Sequence, residues 1–185
     1  MFDTSYTYPP SSGWMFLPLI PYHEGPPDSI FVPLSKNIAD YDWALGMYFL
    51  YAVAAEIRGY ELYDNEDTKQ VVIKWTTIFK NHRDILISDI IHVRRPDNQF
   101  VDCIMHVNPF LSEKGFIAVF NPLTTTVNTT LQISLYYTGL SGKAYLSHED
   151  QAYVPVTLTQ LYNLALDVYM EPQSITYYVL SDSPN

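Results

Sequence analysis

The chain has 185 residues, a length that suits one domain or one and a half. Apolar residues make up 48% and charged residues only 16%, which excludes a disordered chain. Twenty acids against ten Lys and Arg give a net charge of −10, with no basic patch to neutralise phosphates, so nucleic acid and membrane are not expected partners.

The first third is punctuated by proline, with 7 of 13 prolines before residue 34. Between them Trp14-Met15-Phe16-Leu17-Pro18-Leu19-Ile20 is a nearly continuous apolar run, the pattern of a strand buried on both faces in a parallel sheet. Pro18 argues against it, since proline removes a ladder donor. Pro21 to Pro27 reads as the loop that follows.

Two helices come next. The first is expected from Ile38 to Arg58, with Gly59 as the left-handed residue past its end. It is apolar almost all round and needs neighbours on several sides. The second carries Val71, Val72, Trp75, Ile78, Phe79, His82, Ile85 and Leu86 at helical spacing. Asp64 or Asn65 caps its start, because either side chain accepts from the unpaired first-turn amides.

From residue 90 the period changes from 3.6 to 2. Strands are expected at Ile90–Arg95, Phe100–Val107, Phe116–Phe120, Thr130–Tyr137, Ala144–Ser147, Leu161–Met170 and Ser174–Leu180, with Pro96-Asp97-Asn98 as the turn of the first hairpin. Seven short strands at regular spacing imply an antiparallel β-sandwich. The fold class is therefore α+β. Residues 1–89 form an incomplete α/β unit and residues 90–185 the sandwich.

The front unit lacks cover. Leaving four large side chains wet forfeits on the order of 6–12 kcal/mol, comparable to a domain's whole stability. Residues 1–89 are thus expected to be the tail of a larger α/β unit, or to complete their core through a partner chain or self-association.

Trp75-Thr76-Thr77-Ile78-Phe79-Lys80-Asn81-His82-Arg83-Asp84-Ile85-Leu86 resembles the last barrel helix of α-galactosidase-like (clan D-like) glycoside hydrolases. Val119-Phe120-Asn121-Pro122 and Leu135-Tyr136-Tyr137-Thr138-Gly139-Leu140 are similar to their C-terminal sandwich. The resemblance runs from roughly Trp14 to Leu180. It implies the end of a (β/α)8 barrel, one or two strands with two helices, followed by the sandwich. It further implies that Met15–Ile20 is a late barrel strand whose following loop, with Tyr22, His23 and Glu24, faces a sugar substrate at the strand's C-terminal end. The family's two catalytic aspartates come from earlier strands, and hydrolysis needs both, about 5–5.5 Å apart for retention or 6.5–9.5 Å for inversion. A complete active site is therefore not expected here. The chain reads as the C-terminal part of a carbohydrate-handling, glycoside-hydrolase-like protein without the catalytic carboxylate pair. The alternative is a non-catalytic β-sandwich module that binds another protein.

Tyr22-His23-Glu24 is the substrate-binding candidate, since sites are grafted on loops after buried strands. Asp40 and Asp42 suit the first turn of a helix, where negative charge complements the dipole, better than a catalytic pair. His82 reads as a hydrogen-bonded core residue. Asp102, His106 and His92 fall on neighbouring strands, with chance proximity a better account than a metal site. Cys103, the only cysteine, permits no internal disulfide and no cysteine-type zinc site. It lacks a local base for nucleophilic chemistry. The pairs Tyr136-Tyr137 and Tyr177-Tyr178 put one ring on each sheet face, where strand preference explains them as well as sugar stacking does. No nucleotide, phosphate or zinc-protease motif is present, and no metal or cofactor is expected. Met1 to Gly13 lacks signal-peptide features, and Trp43–Ala55, 13 residues without charge, falls short of the roughly 20 needed to span a bilayer. Neither assigns a compartment.

Overall fold

The structure, a computed structural model, describes residues 14–18, 33–58, 61–160 and 162–184, with residues 14–18 and 54–58 as backbone. The described residues fall into two compact units, the first ending at Arg83 and the second beginning at Asp84.

The first unit opens with strand β1 (Trp14–Pro18). The described part of the apolar run does form a strand, with Pro18 in it. A 3-10 turn at Leu34–Lys36 leads into helix α1 (Ile38–Leu50), and strand β2 (Ala54–Arg58) follows. β2 pairs with β1 in parallel, Trp14 opposite Ala54 and Pro18 opposite Arg58. Parallel neighbours require a crossover, and α1 lies within it.

The expected helix to Arg58 is thus corrected: it stops at Leu50, and Ala54–Arg58 is a strand. The stop is not Gly59 but Ala52, which has a left-handed φ of 49°. The Ala52 amide donates to the Phe49 carbonyl and the Val53 amide to the Tyr48 carbonyl, the two reverse bonds that close a helix around a left-handed residue.

Helix α2 (Glu66–Asn81) begins as the sequence implies. Asn65 accepts from the Thr68 amide at 2.9 Å, and the Thr68 hydroxyl accepts from the Asn65 amide at 3.2 Å, a reciprocal cap. Asp64 extends it, one carboxylate oxygen accepting from the Thr68 hydroxyl and the other from the Ser35 amide and hydroxyl. The two helices meet through a Phe49–Phe79 ring contact with centroids 5.6 Å apart. Tyr41, Leu45, Leu50 and Trp75 are buried.

The short helix α3 (Arg83–Leu86) spans the boundary, and the second unit then builds eight strands: β3 (Asp89–His92), β4 (Asp102–Val107), β5 (Glu113–Asn121), β6 (Val127–Ser134), β7 (Lys143–His148), β8 (Val154–Thr157), β9 (Asn163–Met170) and β10 (Ser174–Ser181). Six form an antiparallel sheet in the order β3-β4-β5-β10-β7-β8, and β6 pairs with β9. All seven expected strands are present. β8 was not foreseen.

Cys103, Met105, Ile117, Val119, Tyr178 and Leu180 of the larger sheet share one core with Leu131, Ile133, Leu164, Leu166 and Val168 of the smaller. β6 and β9 alternate buried and exposed residues, as strands with one wet face should. β4, β5 and β10 do not. Their other face, with Ile104, His106, Phe116, Ala118, Phe120 and Val179, is buried as well. The central strands of the larger sheet are thus buried on both sides, while its edges are not.

Candidate functional site

The substrate-binding candidates Tyr22, His23 and Glu24 lie outside the described residues. Elsewhere the structure assigns most candidates to packing. Asp40 sits in the first turn of α1. One turn-face away, Asp42 accepts from the indole Nε1 of Trp75 at 2.7 Å and from Lys74 Nζ at 3.1 Å. Lys74 Nζ also lies 4.3 Å above the Trp75 ring centroid. Asp42 is therefore a brace between α1 and α2, because a buried indole N–H needs an acceptor. His82 is buried at the end of α2.

Strand register places His92, Asp102 and His106 on one face of β3 and β4, since His92 stands opposite Ile104 and residues two apart share a face. Among the described residues no three or more His, Cys, Asp or Glu are grouped to hold a metal. Cys103 is fully buried, and that burial, with Asp102 beside it, pushes its thiol well above the ordinary range; a thiolate nucleophile is not formed there.

The tyrosine pairs part company. Tyr177 and Tyr178 are buried within β10; Tyr177 stacks on Phe116 at 5.1 Å and Tyr178 on His148 at 4.6 Å. Tyr136 and Tyr137 are not on a strand at all, because β6 ends at Ser134. They lie on a 3-10 turn, Tyr136–Thr138, and are 61% and 59% exposed. Tyr136 meets Tyr137 and Tyr162 edge to face, at 5.2 and 5.6 Å.

The turn is firmly held. Thr138 is buried and donates its hydroxyl to the Leu135 carbonyl at 2.6 Å. Gly139 takes φ of 75°, and a Cβ there would come within 3.3 Å of Pro109. That approach seats the 136–140 turn beside the loop carrying Phe110, which is 94% exposed. Three open aromatic side chains, Phe110, Tyr136 and Tyr137, thus stand on two adjoining loops of the sandwich. Aromatic faces of this kind offer an apolar platform, and the tyrosines add a polar rim.

No family model matches the chain, and no curated protein matches it in sequence. Solved structures do match. The chain is similar to a GH27 β-L-arabinopyranosidase from Geobacillus stearothermophilus, solved as a D197A variant with arabinose, at TM-score 0.57 and 13% identity over 91% of this chain and 37% of that one. It is also similar to α-galactosidase I from Mortierella vinacea, at TM-score 0.52 and 10% identity over 80% and 36%. In fold the chain is similar to GH27-type hydrolases, consistent with a C-terminal part of one. The chain spans about a third of the length of the structures it matches. At these identities the likeness is one of architecture: the end of an α/β barrel followed by a β-sandwich.

Proposed function

We propose that this chain is the C-terminal portion of a glycoside-hydrolase-like, carbohydrate-handling protein, and that the catalytic carboxylate pair belongs to barrel strands it does not contain. The observation that carries the reading is the fold match, which takes in 91% of this chain but 37% of the arabinopyranosidase. Residues 1–89 are then the closing elements of the barrel, and residues 90–185 its sandwich. The parallel β1–β2 pair supports this, because two parallel strands are a small piece of a larger buried sheet. In this reading Tyr22, His23 and Glu24 belong to a loop facing the sugar, and a partner chain or a second copy supplies cover for residues 1–89. Hydrolysis requires the two carboxylates to flank one glycosidic bond, so the chain alone binds sugar without cleaving it.

The test is direct. The purified chain is assayed with aryl α-galactosides and aryl β-L-arabinopyranosides, and its binding of the parent sugars is followed by NMR. No turnover, with shifts confined to a few residues, is expected. Turnover by the chain alone would sink the missing-pair reading, and no sugar-induced shift at any concentration would sink the carbohydrate reading. A second reading, a non-catalytic module binding another protein, is favoured by Phe110, whose 94% exposure is unusual for an apolar ring.

A further inference from the structure

The first residue of β4 is a carboxylic acid where no water reaches. Asp102 is 1% exposed, and neither of its oxygens has a hydrogen-bond partner. Two charges act on it, the Arg94 guanidinium and the Asp97 carboxylate. Arg94 is already engaged: its Nη1 donates to the Val101 carbonyl at 2.7 Å, its Nη2 pairs with Asp97, and the guanidinium lies 5.1 Å from the Phe100 ring centroid. Asp97 in turn accepts from the Gln99 amide at 2.9 Å. One cation therefore faces two acids, and the exposed acid holds it. Other titratable groups on this face include His92 on β3, His106 on β4 and Tyr177 on β10, which stacks on Phe116; β5 contributes Phe120, opposite Asp102.

We propose that Asp102 is a proton-operated latch on the 94–101 turn: protonated, it leaves Arg94 to hold the turn closed through Asp97 and Val101, and ionised, it draws Arg94 inward and loosens that turn. The chemistry is that of a buried anion, which must find a counter-charge or remain neutral. Burial raises the Asp102 carboxyl to about 6; Arg94 opposes the rise, and Asp97 adds to it. An unfolded chain ionises the same group near 3.9. The folded state thus binds a proton that the unfolded state lacks between these values. Stability from this group is complete below the unfolded value and is lost as pH rises through about 6.

The experiment is a carboxyl-carbon NMR titration of the full chain, with amide exchange corrected for intrinsic rates. The Asp102 midpoint is expected near 6, and protection of the Val93 and Gln99 amides is expected to fall at least ~10-fold between pH 5 and pH 7.5. Asp102→Asn removes that pH dependence. Asp97→Asn, which releases Arg94, shifts the Asp102 midpoint down by about one pH unit and needs no change in the core. An Asp102 midpoint near 4, protection independent of pH, or a midpoint unmoved by Asp97→Asn would each overturn the latch.

Discussion

Several side chains whose chemistry first suggests a site act as braces within one unit. Asp42 holds the buried Trp75 indole, so Asp42→Ala strands a donor at 1% exposure. A loss of about 1–3 kcal/mol follows, read as a lower urea midpoint, whereas Asp42→Asn keeps an acceptor and loses less. Asn121 is the counterpart in the sandwich. Its amide donates to the Thr125 and Glu171 carbonyls at 2.9 and 2.8 Å and accepts from Leu123 at 3.1 Å, tying the β5–β6 loop to the β9–β10 turn. Asn121→Ala is expected to cost about 1–3 kcal/mol by the same reasoning. The sequence marks Asn121 only as an Asn-Pro pair after an apolar strand. Leu123 and Thr125 lie within four residues, as in a turn closed by an Asn side chain, whereas Glu171 is brought in by tertiary folding and no local pattern encodes it.

Local patterns account for most elements, and their failures have physical causes. The cap at Asn65 and the stripe through Trp75 were legible because both depend on neighbours within one helical turn. The strand Ala54–Arg58 was not, since Ala, Glu and Arg prolong a helical composition and the break rests on alanine in a conformation that usually marks glycine. Ala52→Gly should therefore stabilise the first unit by about 1 kcal/mol, seen as a raised melting temperature. β8 escaped for a different reason: it is an edge strand, mostly exposed, with Pro155 inside it, and edges carry no alternating pattern. At the start of α2, desolvation raises the Asp64 carboxyl, but hydrogen bonds from Ser35 and Thr68 outweigh it and leave the group below its ordinary value. Such a group adds stability above its unfolded pKa that is lost as pH falls through its folded one. Acidification should fray this helix start, detectable as reduced protection of the Thr68 amide, and Asp64→Asn should flatten the response.

At the scale of the chain, the even surplus of acids sets what it attracts. It should pass through heparin or DNA columns without retention at about 150 mM salt, because no Lys or Arg cluster is available to displace counterions. Retention would contradict the exclusion of nucleic acid. The change of period near residue 90 marks where helices give way to strands, while the likeness to α-galactosidase-like hydrolases rests on the Trp75–Leu86 segment and the sandwich motifs, and the structural match agrees in architecture. What no periodicity conveys is depth, since an apolar strand reads alike whether one side is dry or both.

That depth governs how freely the chain can vary. On β6 and β9 every second position meets solvent, so an exhaustive substitution scan should return a comb of tolerant and intolerant sites. On β4 and the buried stretches of β5 and β10 the comb should vanish. Drift among natural variants would then concentrate in one hairpin-like pair, while the central strands stay nearly frozen.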